Sequence, residues 1–208
     1  MNNMVWHSEE HPKWYRDIPV MKTLILGSFP PTLKKHDYPF YYPNSQNRFW
    51  KILAEINNTP LKYLKTKKEN DGIKTQAVQE RHYIMKSLRA GVQNVGLTIK
   101  RKGESAKDKD IVITDFQNIL SIIETHKELD RILLPGFSAK NSTYWSFIKY
   151  LQKNDISIDD IQKPYLEMMF EIIINERKIQ CVVLNSTSTA TKIPYDTVLK
   201  QFEKYLVC

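Results

Sequence analysis

Three short apolar runs stop abruptly on loop-forming residues. Leu24-Ile25-Leu26 ends at Gly27, Arg131-Ile132-Leu133-Leu134 at Pro135-Gly136, and Ile179 to Leu184 at Asn185. Runs this short and this continuously apolar read as strands buried on both faces. Helical patterns lie between them. Phe49, Ile52, Leu53 and Ile56 keep the i, i+3, i+4, i+7 spacing of an amphipathic helix. Further helices are expected over 76–89, over Asp115 to Thr125 (Phe116, Ile119, Leu120 and Ile123 on one face), from a Ser138 cap to about Leu151, and over Asp196 to Leu206 with Leu199, Phe202 and Leu206 inward. Gly91 to Val95 and Met168 to Ile174 read as strands, the latter entering a hairpin at Asn175-Glu176-Arg177-Lys178. Strands alternating with helices predict an α/β fold, a three-layer α/β/α sandwich around a mainly parallel sheet. The 208 residues suit one domain spanning 1–208. Residues 1–21 are expected to be an irregular lead-in, 61–76 a solvated lysine-rich loop, and Ile99 to Asp110 a charged excursion.

In open α/β sheets, ligands bind at the carboxyl ends of the strands. The loops after Gly27, Gly136 and Asn185 would share that edge. Gly27-Ser28-Phe29-Pro30-Pro31 is tight and rigid, since the two prolines deny the next residues a helix. An aromatic patch, Tyr41-Tyr42, follows, then a polar helix start in which Asn44 or Ser45 offers the N-cap and Asn47 falls in the first turn. Such a place suits a flat π-system such as a nucleobase. Thirty-one basic against 23 acidic residues give a net charge of +8, which favours a polyanionic partner, nucleic acid before others. A lysine-rich proteome would give the same balance. The two cysteines, Cys181 and Cys208, cannot form a zinc or iron–sulfur cluster or a disulfide framework, so a reducing, cytoplasmic location is expected. His7 and His11 lack a third ligand nearby, and no metal or cofactor is expected. Met1-Asn2-Asn3-Met4 has no apolar core behind it, so no secretion signal is read, and no run is long enough to span a membrane.

These motifs together resemble the uracil-DNA glycosylase superfamily, in particular its hypoxanthine- (deoxyinosine-) DNA glycosylase branch. The elements are Gly27-Ser28-Phe29-Pro30, Tyr41-Tyr42 with Asn47-Arg48-Phe49-Trp50, Gly136-Phe137-Ser138-Ala139, and the loop Asn185-Ser186-Thr187-Ser188-Thr189-Ala190, stretching from about residue 11 to the C-terminus. The chain also departs from the superfamily. Phe29 stands where many members place a water-activating Asp or Asn. Leu184 stands where several carry a base-polarising His or Asn, and Asn185 and Thr189 replace prolines.

The resemblance implies a monofunctional DNA glycosylase that flips out a deaminated or modified base and hydrolyses its N-glycosidic bond. It implies that Asn47 places the water through its side-chain carbonyl; from local sequence alone Asn47 reads as a helix cap. Asp37 is the nearest carboxylate in sequence and the second candidate, as general base. Phe29, Tyr41 and Tyr42 are candidates for stacking on the base, with Gly27 and Ser28 offering hydrogen-bond donors. Ser186, Thr187, Ser188 and Lys192 are candidate phosphate contacts, as is the Lys100-Arg101-Lys102 run, Lys102 in particular. DNA is the expected partner and a monomer the expected state, with no membrane partner. Two alternatives stand beside this reading. One is a glycosylase excising a hypermodified phage base in defence; the other is a nucleic-acid-binding α/β module without catalysis.

Overall fold

A computed structural model describes residues 5–105, 107–158 and 163–206. The opening residues 1–4 and Cys208, which bear on the secretion and cysteine readings, lie outside them. The chain forms strands β1 (Trp6–Glu10), β2 (Thr23–Gly27), β3 (Ala90–Asn94), β4 (Gly96–Lys102), β5 (Ile111–Phe116), β6 (Arg131–Pro135), β7 (Met169–Ile174) and β8 (Arg177–Leu184). The helices are α1 (Phe49–Ile56), α2 (Asp71–Ser87), α3 (Ile119–Thr125), α4 (Thr143–Lys153) and α5 (Tyr195–Leu206).

The main sheet has the order β3-β2-β6-β8-β7. Its first four strands are parallel and β7 pairs antiparallel with β8. The α/β architecture and the mainly parallel sheet therefore agree with the sequence. All five residues of β2 are buried, as a central parallel strand requires. In register, Gly27 lies beside Asn94 and Pro135 beside Leu184, so the loops after β2, β3, β6 and β8 leave from one edge. Helix α1 buries Phe49, Trp50, Ile52, Leu53 and Ala54, and the Trp50 indole N–H donates to the Tyr41 carbonyl at 2.8 Å. The β7–β8 turn has both Asn175 and Glu176 at positive φ (49° and 64°), the backbone twist a two-residue hairpin prefers.

Several expectations need correction. Trp6–Glu10 is a strand rather than an irregular lead-in, and the charged excursion begins inside β4, which holds Ile99 to Lys102, and leads into β5 just beyond Asp110. These three strands form a separate antiparallel sheet, β1-β4-β5. Its apolar side is small, with Phe29, Ile99 and Ile111 buried against Ile113. Helix α2 starts at Asp71, not 76, because the Asn70 side chain accepts the Ile73 N–H. Helix α3 starts at Ile119, since Asp115 and Phe116 belong to β5. Helix α4 starts at Thr143 behind Ser142, leaving Ser138 exposed in the preceding loop. Leu199 of α5 is only partly buried, while Val198 and Gln201 face inward. Among the described residues no helix is long and apolar enough to cross a membrane.

The small sheet is fastened to the main one by Arg101, which is fully buried. Its guanidinium forks onto Glu9 (2.7 and 3.0 Å) and donates to the Pro30 and Ser105 carbonyls at 2.7 and 2.6 Å. Four of its five N–H groups are used internally and the side chain is shut off from solvent, so the phosphate-contact reading of Arg101 is corrected. Removing it strands two carbonyls. We expect Arg101→Ala to cost about 3 kcal/mol in urea unfolding, and Arg101→Lys to recover less than half, since an ammonium lacks the fork.

Candidate functional site

A cavity of about 440 Å³ opens at the carboxyl edge of the main sheet. Its walls include Gly27, Ser28 and Phe29 after β2, Tyr42 and Asn47 before α1, Gly136 after β6, and Ser186, Thr187 and Ser188 after β8. Those sequence-predicted residues are thus brought together. Asn94 at the end of β3 and Asp108 after β4 join them, and neither was singled out from the sequence.

Asn47 does not lie in the first turn of α1 but two residues ahead of Phe49. Its Oδ1 accepts the Phe49 backbone N–H at 2.9 Å and the Thr187 hydroxyl at 2.8 Å. A backbone N–H can only donate, so this fixes which amide atom is the oxygen. The expectation that the carbonyl places water is corrected, since that oxygen already holds two donors. Among the described residues nothing accepts from Nδ2, which remains for a ligand. The Ser/Thr loop is fastened to the same place by Arg48. Its guanidinium donates to the carbonyls of Thr187 (3.3 Å), Ser188 (3.2 Å) and Ile193 (2.7 Å), and to the Thr191 hydroxyl (3.0 Å). Arg48 is a loop clamp, legible only as a basic residue inside the aromatic motif.

Gly27 pairs with Asn94 across the strands, and the Asn94 amide fills the space a side chain would take. A Cβ built there would sit 2.2 Å from Asn94 Oδ1 and 3.3 Å from the Tyr42 hydroxyl. Only glycine tolerates that approach. Asn94 is held from behind: its Nδ2 donates to His11 Nε2 at 2.8 Å, while His11 Nδ1 faces the Pro12 carbonyl. A carbonyl accepts only, so Nδ1 carries the proton and Nε2 is the acceptor. His11 is neutral, its pKa lowered from 6.5 to about 4 by burial. Asn94 Oδ1 is left as a fixed acceptor at the cavity floor, with no donor to it among the described residues.

The aromatic candidates divide. Tyr41 is fully buried, and its hydroxyl donates to Gln93 at 2.9 Å. It is a core residue away from the cavity, which corrects its reading as a stacking ring. Tyr42 lines the cavity with one face stacked on Phe49 at 3.8 Å and 14°. Its φ of 47° is left-handed, a conformation costing a non-glycine about 1–2 kcal/mol. The stack and the Tyr38 hydroxyl, which donates to the Tyr42 carbonyl at 2.6 Å, hold it there. Phe29 lines the cavity but is mostly buried, meeting His11 edge-on at 5.6 Å.

Asp37 does not reach the cavity. Its Oδ2 accepts the Ser45 N–H at 2.7 Å and its backbone N–H donates to Pro43, closing the aromatic loop on itself. Its reading as a general base is corrected. Lys102 lies on β4 and Lys192 is exposed beyond the Ser/Thr loop; neither lines the cavity. The carboxylate that does line it is Asp108, whose Oδ1 accepts the Ser28 hydroxyl at 2.8 Å.

The neutral His11 gives a pH signature. Its folded pKa is depressed, so the unfolded chain takes the proton first as pH falls. The stability it contributes is present above pH 6.5 and lost on descent toward about 4, roughly 3 kcal/mol in all. Urea unfolding at neutral pH and near pH 4 should show the loss, and His11→Gln, less stable at neutral pH, should show a correspondingly flatter dependence.

The fold is shared with a solved structure. A solution NMR structure described as a "putative Uracil DNA glycosylase" from Methanosarcina acetivorans superposes with a TM-score of 0.54, covering 90% of this chain and 92% of that one at 18% identity. No protein-family model matches the chain, and neither does any curated protein.

Proposed function

We propose that the chain is a monofunctional DNA glycosylase, one three-layer α/β/α domain acting on a deaminated base flipped into the cavity. The observation that carries this reading is Asn94 Oδ1, a hydrogen-bond acceptor fixed beside bare backbone in a cavity sized for a small ligand. Deamination turns the ring nitrogen of adenine or cytosine, an acceptor, into the N–H donor of hypoxanthine or uracil. A fixed acceptor pairs with the deaminated base and leaves the normal one opposed lone pair to lone pair. Discrimination of that kind is strong because a mismatched buried polar group stays unpaired. The fold shared with the archaeal structure, the net charge of +8 and the sequence motifs support the same reading.

In this reading Tyr42 supplies a face for the base, a stack worth about 1–3 kcal/mol. The Gly27 and Ser28 loop lets the backbone approach. Ser186 and Ser188 hold phosphate or sugar oxygens, since they line the mouth in a loop whose position Arg48 sets. Asn47 holds the water through Nδ2, as its oxygen is committed to Phe49 and Thr187. A dissociative transition state, with positive charge gathering on the sugar, asks for positioning more than for base strength.

The test is excision from labelled DNA, single- and double-stranded, containing hypoxanthine, uracil, xanthine or sugar-modified cytosine, in EDTA with alkali to reveal abasic sites. We expect cleavage at a deaminated base, reduced about 100-fold in Asn47→Ala, whose lost cap costs only about 1 kcal/mol of stability. Cleavage confined to the sugar-modified base would favour the defence reading. DNA binding without cleavage of any substrate would sink catalysis and leave a binding module.

A further inference from the structure

Among the described residues lining the cavity, Asp108 is the only one with a carboxyl group. It lies on the short 3-10 turn Asp108–Asp110 that leads into β5, so the small sheet delivers it across to the Ser28 loop. Its Oδ1 accepts the Ser28 hydroxyl. Among the described residues nothing donates to Oδ2, and no lysine or arginine pairs with the carboxyl, although Lys35 and Lys107 line the same cavity. The other groups near it are the Tyr42 phenol, whose ionisation is suppressed by burial and by the Asp108 charge, and Lys109 and Asp110 on its own turn. Burial without a cation favours the neutral acid. The Asp108 pKa is accordingly raised, burial outweighing the Ser28 hydrogen bond that opposes it.

Leu184, fully buried at the end of β8, leaves that strand nothing with which to assist the leaving base. Asn94 offers an acceptor there, and an amide gives up no proton. Resting on the glycosylase reading, we propose that Asp108, as a carboxylic acid, is a catalytic residue that protonates the departing base, and that the site is built for keto-purines, whose N7 takes the proton. The C1′–N9 bond breaks with its electron pair going to the base, and the Asp108 proton moves to N7. A water oxygen bonds C1′ and sheds one proton to solvent, and solvent reprotonates Asp108. One water is consumed and the free base leaves neutral.

The experiment is single-turnover excision of hypoxanthine and of 7-deazahypoxanthine, which lacks the N7 acceptor, between about pH 5 and 9. Wild type should slow as pH rises through the raised Asp108 pKa. Asp108→Asn, which keeps an acceptor for Ser28, should slow hypoxanthine excision about 100-fold and flatten the profile. Wild type should lose as much on the deaza base, and the variant should lose nothing further on it. Ser28→Ala removes the bond that lowers the pKa, so its descending limb should move to higher pH. Because Asp108→Asn removes a group whose ionised form is costly to bury, it should melt no lower than wild type at pH 8, separating lost chemistry from lost fold. An unchanged rate in Asp108→Asn, losses that multiply on the deaza base, or a rate rising with pH would overturn the proposal while leaving the glycosylase reading intact. A wild-type protein that excises no base would overturn both.

Discussion

The missing side chain at Gly27 is the constraint around which the cavity is arranged. Parallel pairing sets Gly27 beside Asn94, and the Asn94 amide lies over the space a Cβ would occupy. Any larger residue would push the amide off His11, leaving a buried imidazole nitrogen without its donor. The Tyr42 hydroxyl reaches the same spot, and the Tyr42 ring stands on Phe49, whose backbone N–H holds Asn47. Asn47 in turn holds Thr187. A chain of contacts thus runs from β3 across β2 to α1 and on to the loop after β8, so one residue's bareness sets the spacing of four segments.

What the sequence makes legible follows from where the burial lies. β2, β6 and β8 read clearly because each carries an unbroken apolar run in the centre of the sheet, and α1 because it buries one face. The small sheet does not read: β1 is exposed along almost its whole length, and β4 carries Lys100, Arg101 and Lys102. Asn70-Asp71-Gly72 looks like a turn, yet the Asn70 side chain starts α2, whose inner face includes Arg81, buried over the Tyr38 ring.

At the site the division is between local and non-local placement. Gly27, Ser28 and Asn47 sit in motifs, and the motifs meet at one edge. Asn94 arrives by strand register and Asp108 by a hairpin from the second sheet, neither of which is written in nearby residues. The polar pair Gln93-Asn94, buried at the end of an otherwise apolar strand, is the one signal that pointed to the first. Asp37 was nearest in sequence and is spent on its own loop, whereas Asp108, 80 residues from Ser28, shares a hydrogen bond with it. Proximity along the chain is a poor guide to a sheet edge built from several strands.

Two ionisable groups, His11 behind Asn94 and Asp108 in the cavity wall, are kept in forms that burial, not water, selects, and they pull stability in opposite directions. Neutral His11 costs nothing at neutral pH and weakens the fold as pH falls from 6.5 toward about 4. Asp108 has a raised folded pKa, so its contribution is complete in acid and lost as pH climbs through that value. As pH falls, then, Asp108 regains part of what His11 gives up. The two pH dependences therefore oppose each other, and above pH 6.5, where His11 is neutral folded or unfolded, Asn94 is best held. The proposed chemistry, which needs Asn94 fixed and Asp108 protonated, would therefore run best near the lower edge of the pH range in which His11 stays neutral.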